Sequence, residues 1–441
     1  MFSNFPWKEK KVLVAGLGIL GGGLETAKFF ARNGANVTVT DLKTSSELFS
    51  SLTKLRGLPI KFTLGKHLPA DFQNQDLIIR NPAVPQESFY LKLARKKGIP
   101  IVMESTIFFK LCPSKNIIGV TGTKGKTTTT LLIAEILKKA KKDVVSGGNP
   151  QVPILALLPN IKKETWVVLE LSSWQLEGLA DYKISPHIAI LTNIMQDHLN
   201  RYTSMADYIL AKKIIFKFQK ESDIFVTNGE EKLCRRLAKE ARSQVSYFSK
   251  RDLPEKIKRA VKLPGKHNLS NVACAYTLAR ILGVDDSYVL TVLAKFRGVK
   301  GRLELLKKIN GISFINDTCA TTPEATIGAI NSFSSPVILI CGGADKNLDF
   351  GQFGGVINQK VKSVVLLEGV ATDKIEEEVL KKKILGRFSN FRSAVLKAFE
   401  NAKRGDIVLL SPACASFGMF RNEFDRGEKF RKIVEGLSKR H

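Results

Sequence analysis

Six cysteines in 441 residues are few, and no two of them stand in a C-x-x-C spacing. Scattered as Cys112, Cys234, Cys274, Cys319, Cys341 and Cys414, they exclude a disulfide framework and a thiolate zinc site, and they fit a reducing cytoplasm. No apolar run is long enough to cross a bilayer. The apolar stretch from Val12 to Gly23 is interrupted by glycines and lacks a cleavage-like end, so no signal peptide is expected. No internal repeat or low-complexity segment stands out. Aromatic residues are 8% of the chain, mostly Phe inside apolar runs. They do not interleave with basic residues as on a nucleic-acid face, so no nucleic-acid partner is expected. Acidic residues are short in number, 41 against 69 basic ones, for a formal charge of +28. The lysines are dispersed among glutamates and read as solvated surface, although such a field suits polyanionic small molecules. At 44% hydrophobic residues, the chain has the composition of a soluble protein of several domains.

The residues that are present are organised around Ile118 to Thr130, IGVTGTKGKTTTT. Asn116–Val120 reads as a short buried strand, the Gly/Thr stretch as a loop, and the residues after that loop as a helix. Gly122 and Gly125 permit a tight turn whose N–H groups converge on one cavity, at a helix N-terminus that favours an anion. Lys126 adds a full positive charge. Thr127 puts a hydroxyl where a phosphate-bound Mg²⁺ takes a ligand. The pattern is shorter than the common phosphate loop, because Val120 stands where that loop has its first glycine. Gly122, Thr123, Lys124, Gly125, Lys126, Thr127 and Thr128 are therefore the expected phosphate contacts.

Before this loop, Lys11–Ala15 reads as a strand running into Gly16-Leu17-Gly18-Ile19-Leu20-Gly21. A helix, a second strand (Asn36–Thr40) and Asp41 come next. That order, with an acid about 20 residues past the last glycine, is a nucleotide-binding Rossmann-like fingerprint. The first domain is expected to end near 105–114, with Cys112-Pro113-Ser114 as connector. Ser146-Gly147-Gly148-Asn149 reads as a loop after a short strand. Trp166–Glu170 is a strand ending in an acid suited to Mg²⁺. Ile188–Leu191 is a strand leading to His198, and Met205–Lys217 is a helix. Leu263-Pro264-Gly265-Lys266-His267-Asn268 is a sharp turn before another helix. Gly298–Glu304 reads as a hinge carrying Arg302. From about residue 300 the chain is again α/β, with strands at 312–316, 337–340, 364–367 and 407–410, two of which run into polar loops at 342–346 and 411–417. The expected fold is α/β in three domains. Residues 1–110 are Rossmann-like, 111–299 form a phosphate-loop parallel sheet, and 300–441 form a second Rossmann-like unit.

Six separated stretches together resemble the muramoyl-peptide (Mur) ligase family. They are GLGILG, TGTKGKTT, LELSSWQLE, NIMQDHLNRY, LPGKHN and LSPACASF…FDRG, and they span essentially the whole chain. With GRLE and FIND, the pattern is most similar to the branch that adds glutamate to UDP-N-acetylmuramoyl-L-alanine. The resemblance implies that the first domain binds the UDP substrate through Gly18, Ile19, Leu20, Asp41 and Asn149. It implies ATP contacts from Asn268, Arg302 and Asp317 besides the loop. Lys126, His198 and Lys212 would be catalytic. Thr127, Glu170, His198 and a carbamylated Lys212 would hold two Mg²⁺ ions. Thr321, Lys346 and Ser416 would grip the incoming amino acid, with D-glutamate the first choice and L-glutamate or another amino acid still open. A cytoplasmic monomer is implied. Two positions depart from the family pattern: Cys319 replaces a lysine two residues past Asp317, and Glu423 replaces an aromatic residue. Both lie on the amino-acid side. A folylpolyglutamate synthase shares the phosphate loop but should lack the first-domain fingerprint. A NAD-dependent oxidoreductase leaves the phosphate loop unexplained.

Overall fold

The computed structural model describes residues 7–19, 21–148, 152–195, 202–263, 265, 267–345, 348–416 and 418–437. Three sheets carry the chain. The first holds β1 (Lys11–Ala15), β2 (Asn36–Asp41), β3 (Ile60–Leu64), β4 (Leu77–Arg80) and β5 (Ile101–Val102). All are parallel, in the order β3-β2-β1-β4-β5. The second holds β6 (Ile117–Thr121), β7 (Val144–Gly148), β8 (Trp166–Glu170), β9 (Ile188–Leu191), β10 (Ile224–Asn228) and β11 (Gln244–Phe248). It is also parallel, ordered β11-β10-β9-β6-β8-β7. The third holds β12 (Glu304–Ile309), β13 (Ile312–Asn316), β14 (Val337–Cys341), β15 (Val361–Leu367), β16 (Ile384–Phe388) and β17 (Ile407–Leu410). Its order is β12-β13-β17-β14-β15-β16, with only the β12–β13 pair antiparallel.

Parallel strands need helical crossovers that cover both faces, so their sequences read as unbroken apolar runs. β9 (IAIL) and β17 (IVLL) are buried along their whole length. The chain forms two compact units. One comprises Met1–Arg259 with Ser270–Val292, and the other Ala260–Leu269 with Leu293–His441. The first two sheets share one apolar core, which runs from Val12 and Val14 through Ile107, Phe108 and Ile154 to Val167 and Leu169. The third sheet has a core on each face, around Leu339, Leu366 and Leu409 on one side and Phe314, Ile340 and Phe430 on the other.

Glu104–Leu111 is a helix with Ile107 and Phe108 in the core, and Cys112, the first residue of the expected connector, ends it. One local reading of the sequence is corrected. Ser146-Gly147-Gly148 is not a loop but the second half of β7, paired with β8 from Val168 to Glu170. Glycine content hides this strand. Yet a Cβ at Gly148, where φ is +105°, would collide with the Glu170 carbonyl, so the close strand approach requires glycine. Among the described residues no helix is long and apolar enough to cross a membrane.

Candidate active site

In the second sheet the chain leaves β6 for the edge strand β7 and returns to both flanks of β6. Ligands in such sheets bind in the crevice beyond the carboxyl ends of the strands at this reversal. The loop that begins at Thr121 lies there. Gly122 has φ +148°, and a Cβ on it would collide with Thr192 Oγ1. Gly125 caps the helix Lys126–Lys139 in the left-handed region at φ +85°, and a Cβ there would run into Asn271 Oδ1. These two positions need glycine for space as well as backbone freedom. Lys126 Nζ donates to the carbonyls of Gly122 (3.1 Å) and Thr123 (3.0 Å), which holds its charge at the loop mouth. Thr127 is buried, Thr128 half-buried and Lys124 exposed.

The segment after β9 fixes the loop from the other side. Thr192 Oγ1 donates to the Lys124 carbonyl (2.7 Å), as does Asn193 Nδ2 (3.0 Å). Asn193 Oδ1 accepts from the Lys124 N–H (2.9 Å). Thr123 Oγ1 accepts from the Met195 N–H (3.0 Å) and lies 3.1 Å from the Tyr208 hydroxyl. On the helix Met205–Lys217, the buried Lys212 sends Nζ over the Tyr208 ring and donates to the Gly122 carbonyl at 2.8 Å. Both candidate catalytic lysines thus meet on one carbonyl. Glu170, buried at the end of β8, stands beside Val120 in the ladder, and the Leu171 N–H donates to the Val120 carbonyl (2.9 Å). The helix after it starts at Ser173 with Ser172 and Gln175 in a reciprocal capping box.

The same rule finds a crevice in the first sheet, between the ends of β1 and β4. Gly18 donates its N–H to Asp41 Oδ2 (2.9 Å), and Asp41 Oδ1 accepts from the Lys43 N–H (2.9 Å). Asp41 therefore ties the glycine turn to the end of β2. Ile19 is 43% exposed, large for an isoleucine. Asn81, just past β4, donates through Nδ2 to the Gly16 carbonyl (3.2 Å) and fills the space beside Gly16.

In the second compact unit, Asp317 comes directly after β13 and is buried. Oδ1 accepts from the Leu303 N–H (3.1 Å) and Oδ2 from Ser411 Oγ (2.8 Å). Arg302 is exposed, in a turn closed by its N–H to the Val299 carbonyl (3.0 Å). Thr321 is half-buried and Ser416 buried in the loop after β17. Asn268 is the second residue of the helix His267–Ile281. Cys319 is held by its N–H to the Gly301 carbonyl (3.0 Å), and burial pushes its thiol up to about 11, so it stays a neutral thiol. Glu423 opens the helix Glu423–Glu435, and its carbonyl accepts from Thr318 Oγ1 (2.7 Å). Leu20, Asn149, His198 and Lys346, all expected at the site, lie outside the described residues.

Three family models match in tandem. The "Mur ligase MurD-like, N-terminal domain" matches residues 10–103, the "Mur ligase middle domain" 120–261, and the "Mur ligase, glutamate ligase domain" 301–414. The chain belongs to the Mur ligase family. A relative named UDP-N-acetylmuramoylalanine--D-glutamate ligase in Roseiflexus sp. (strain RS-1) is 44% identical, over 97% of this chain and 99% of its own. One of the same name in Acetivibrio thermocellus is 37% identical over 98% and 97%. A solved UDP-N-acetylmuramate-alanine ligase from Thermotoga maritima has the same fold, with a TM-score of 0.62 at 22% identity over 97% of this chain and 99% of that one.

The sequence of this Mur ligase does not mark the residues that build the site from a distance. Asn81, Thr192 and Asn193 bond to remote backbone, Tyr208 and Ser411 to remote side chains, and Asn271 lies against Gly125; nothing in their local spacing announces a partner. Asn193 is the first residue of NIMQDHLNRY and Thr192 precedes it, so that motif is the one signal that could have found the clamp. A cavity of about 540 Å³ lined by Arg235, Tyr247 and Arg251 at the β10–β11 edge contains none of the loop residues.

Proposed function

We propose that this chain is the ATP-dependent ligase that joins D-glutamate to UDP-N-acetylmuramoyl-L-alanine in peptidoglycan precursor synthesis. The observation that carries the reading is the convergence of Lys126 and Lys212 on the Gly122 carbonyl, at the mouth of a phosphate loop in a Mur ligase fold. The full-length relatives that bear the D-glutamate name support the amino acid.

The chemistry needs positioning and charge neutralisation more than a nucleophile from the protein. The carboxylate of the UDP-linked L-alanine attacks the γ-phosphorus of ATP, giving an acyl phosphate and ADP. The amine of glutamate attacks the acyl carbon, and phosphate leaves from the tetrahedral intermediate. Lys126 exchanges its loop carbonyls for γ-phosphate oxygens and offsets the charge that builds there. The loop N–H groups and the helix behind them hold the phosphates.

Among the described residues no group of three or more His, Cys, Asp or Glu side chains forms a metal cluster. The Thr127 hydroxyl and the Glu170 carboxylate instead offer an all-oxygen pair beside the loop. That suits Mg²⁺, a hard cation that these two oxygens would hold. Magnesium, when bound, neutralises the triphosphate. His198 and Lys212, the latter if carbamylated, would hold a second ion.

Gly18, Ile19, Leu20, Asp41 and Asn149 bind the UDP moiety. Asn268, Arg302 and Asp317 serve ATP, and Thr321, Lys346 and Ser416 serve the amino acid. Residues 1–110, 111–299 and 300–441 are the UDP, ATP and amino-acid domains of a cytoplasmic monomer. The deciding experiment offers D- and L-glutamate separately, with UDP-N-acetylmuramoyl-L-alanine and ATP, and monitors phosphate release. Release with D-glutamate alone is expected. Release with L-glutamate alone would move the specificity and leave the chemistry, and none with either would remove the assignment.

A further inference from the structure

A continuous line of side chains joins the turn after β4 to the phosphate loop, inside one compact unit. Arg80, the last residue of β4, is 3% exposed. Its Nη1 donates to the Val84 carbonyl (2.8 Å), closing the turn that contains Asn81, and its Nη2 lies 3.7 Å from Glu177 Oε2. Glu177 belongs to the helix Ser173–Ala180, which comes after β8 and Glu170. Its Oε1 accepts from the Tyr202 hydroxyl at 2.7 Å. The Tyr202 ring lies against the Tyr208 ring, with centroids 5.3 Å apart. Tyr208 then reaches Thr123 by its hydroxyl (3.1 Å) and carries Lys212 Nζ over its face at 4.7 Å.

Each link has a physical reason to be rigid. A buried guanidinium is costly unless a carboxylate and carbonyls satisfy it, so Arg80 cannot leave Glu177 freely. A carboxylate that accepts from a phenol and faces a guanidinium is fixed at both oxygens. The paired rings both belong to the buried core of this unit. One end of the line shapes the crevice of the first sheet through Asn81 and Gly16, and the other holds Thr123 and Lys212.

We propose that Glu177 and Tyr202 are positioning residues. They hold the first-sheet crevice in register with the phosphate loop, so that the substrate carboxylate meets the γ-phosphate in line. Neither touches a reacting atom, and the inference rests on the proposed ligase function. A small misplacement of reacting groups costs rate and leaves ground-state binding largely intact. The signature is therefore a fall in kcat without a matching change in KM.

The test uses the full chain with Tyr202→Phe, Glu177→Gln, Glu177→Ala and the Tyr202→Phe/Glu177→Ala pair. Initial rates are measured with each of the three substrates varied, at a temperature well below every variant's melting midpoint. For Tyr202→Phe and Glu177→Ala, kcat is expected to fall about tenfold, with each KM within about twofold of wild type. Glu177→Gln, which still accepts from Tyr202, should fall less. The pair should lose no more than about twofold beyond the worse single variant, because both act through one line. Lowered melting midpoints with kcat intact would overturn the proposal, as would losses in the pair that multiply. Should Glu177→Ala fail to fold, Tyr202→Phe decides alone, since it removes one hydroxyl and keeps the ring. Wild-type turnover separates the two readings. Its absence sinks the ligase assignment and this inference together, whereas normal turnover with unchanged variants sinks only this one.

Discussion

At the scale of single residues, the two lysines on the Gly122 carbonyl have different tasks and should fail differently. Lys126→Ala removes the cation from the loop mouth. Turnover should drop by about 10³-fold or more, while circular dichroism and the melting midpoint stay near wild type. Retained ligation in that variant would remove Lys126 from the transferring phosphate. Lys212 is buried on a helix facing the same carbonyl. If it acts as a carbamate, Lys212→Glu restores an anion of similar reach, so it should keep more activity than Lys212→Ala. Wild-type rates should also rise with added bicarbonate. Equal losses in the two variants would argue for an ammonium instead. Lys126 and Gly125 were legible because their chemistry is local: a strand, a tight turn and a helix start succeed one another in the chain. Asp41 and Asp317 were legible only in part. Their acid character and strand-end position were plain, and Lys43 is a local partner of Asp41, but Gly18 on Asp41 and Leu303 and Ser411 on Asp317 come from segments that only folding brings near.

At the scale of elements, the segment after β9 is what shapes the phosphate loop. Thr192→Val keeps volume and removes the hydrogen bond to the Lys124 carbonyl, so the loop loses one restraint while Asn193 retains two. The expected result is a KM for ATP raised about three- to tenfold with little change in KM for the UDP substrate, read from steady-state kinetics. The helix Glu104–Leu111 carries a second testable feature at its first residue. Burial pushes the Glu104 carboxyl up from 4.5 to about 7, although the Leu155 N–H donates to it at 3.2 Å. Between pH 4.5 and about 7 the unfolded chain releases this proton and the folded one keeps it. Stability therefore falls as pH rises through that window and levels off above it. Glu104→Gln should match wild type near pH 5 and melt higher near pH 8; parallel melting curves at all pH values would count against the buried carboxyl. Elements were legible where parallel strands are covered on both faces and show unbroken apolar runs, as in β8, β9 and β17. They were hidden where glycine replaces apolar bulk, as in the second half of β7.

At the scale of the whole molecule, the excess of 28 positive charges acts on every anionic reactant. Both nucleotide substrates are polyanions, so kcat/KM for each should fall steeply as salt rises from about 50 to 300 mM, with kcat nearly constant. A flat kcat/KM would mean that the charge is spread too evenly to steer anything.

The sequence by itself determined the strand–helix alternation, the two glycine turns and the family, because these rest on periodicity and on backbone rules that act over a few residues. Only the tertiary structure decided which side chains hold those turns in place. Thr192 and Asn193 on the loop, Asn271 against Gly125, Asn81 against Gly16, and the line from Arg80 to Tyr208 all join residues dozens of positions apart. Their partners are set by strand order, and strand order is fixed by how the crossovers pack rather than by any local pattern.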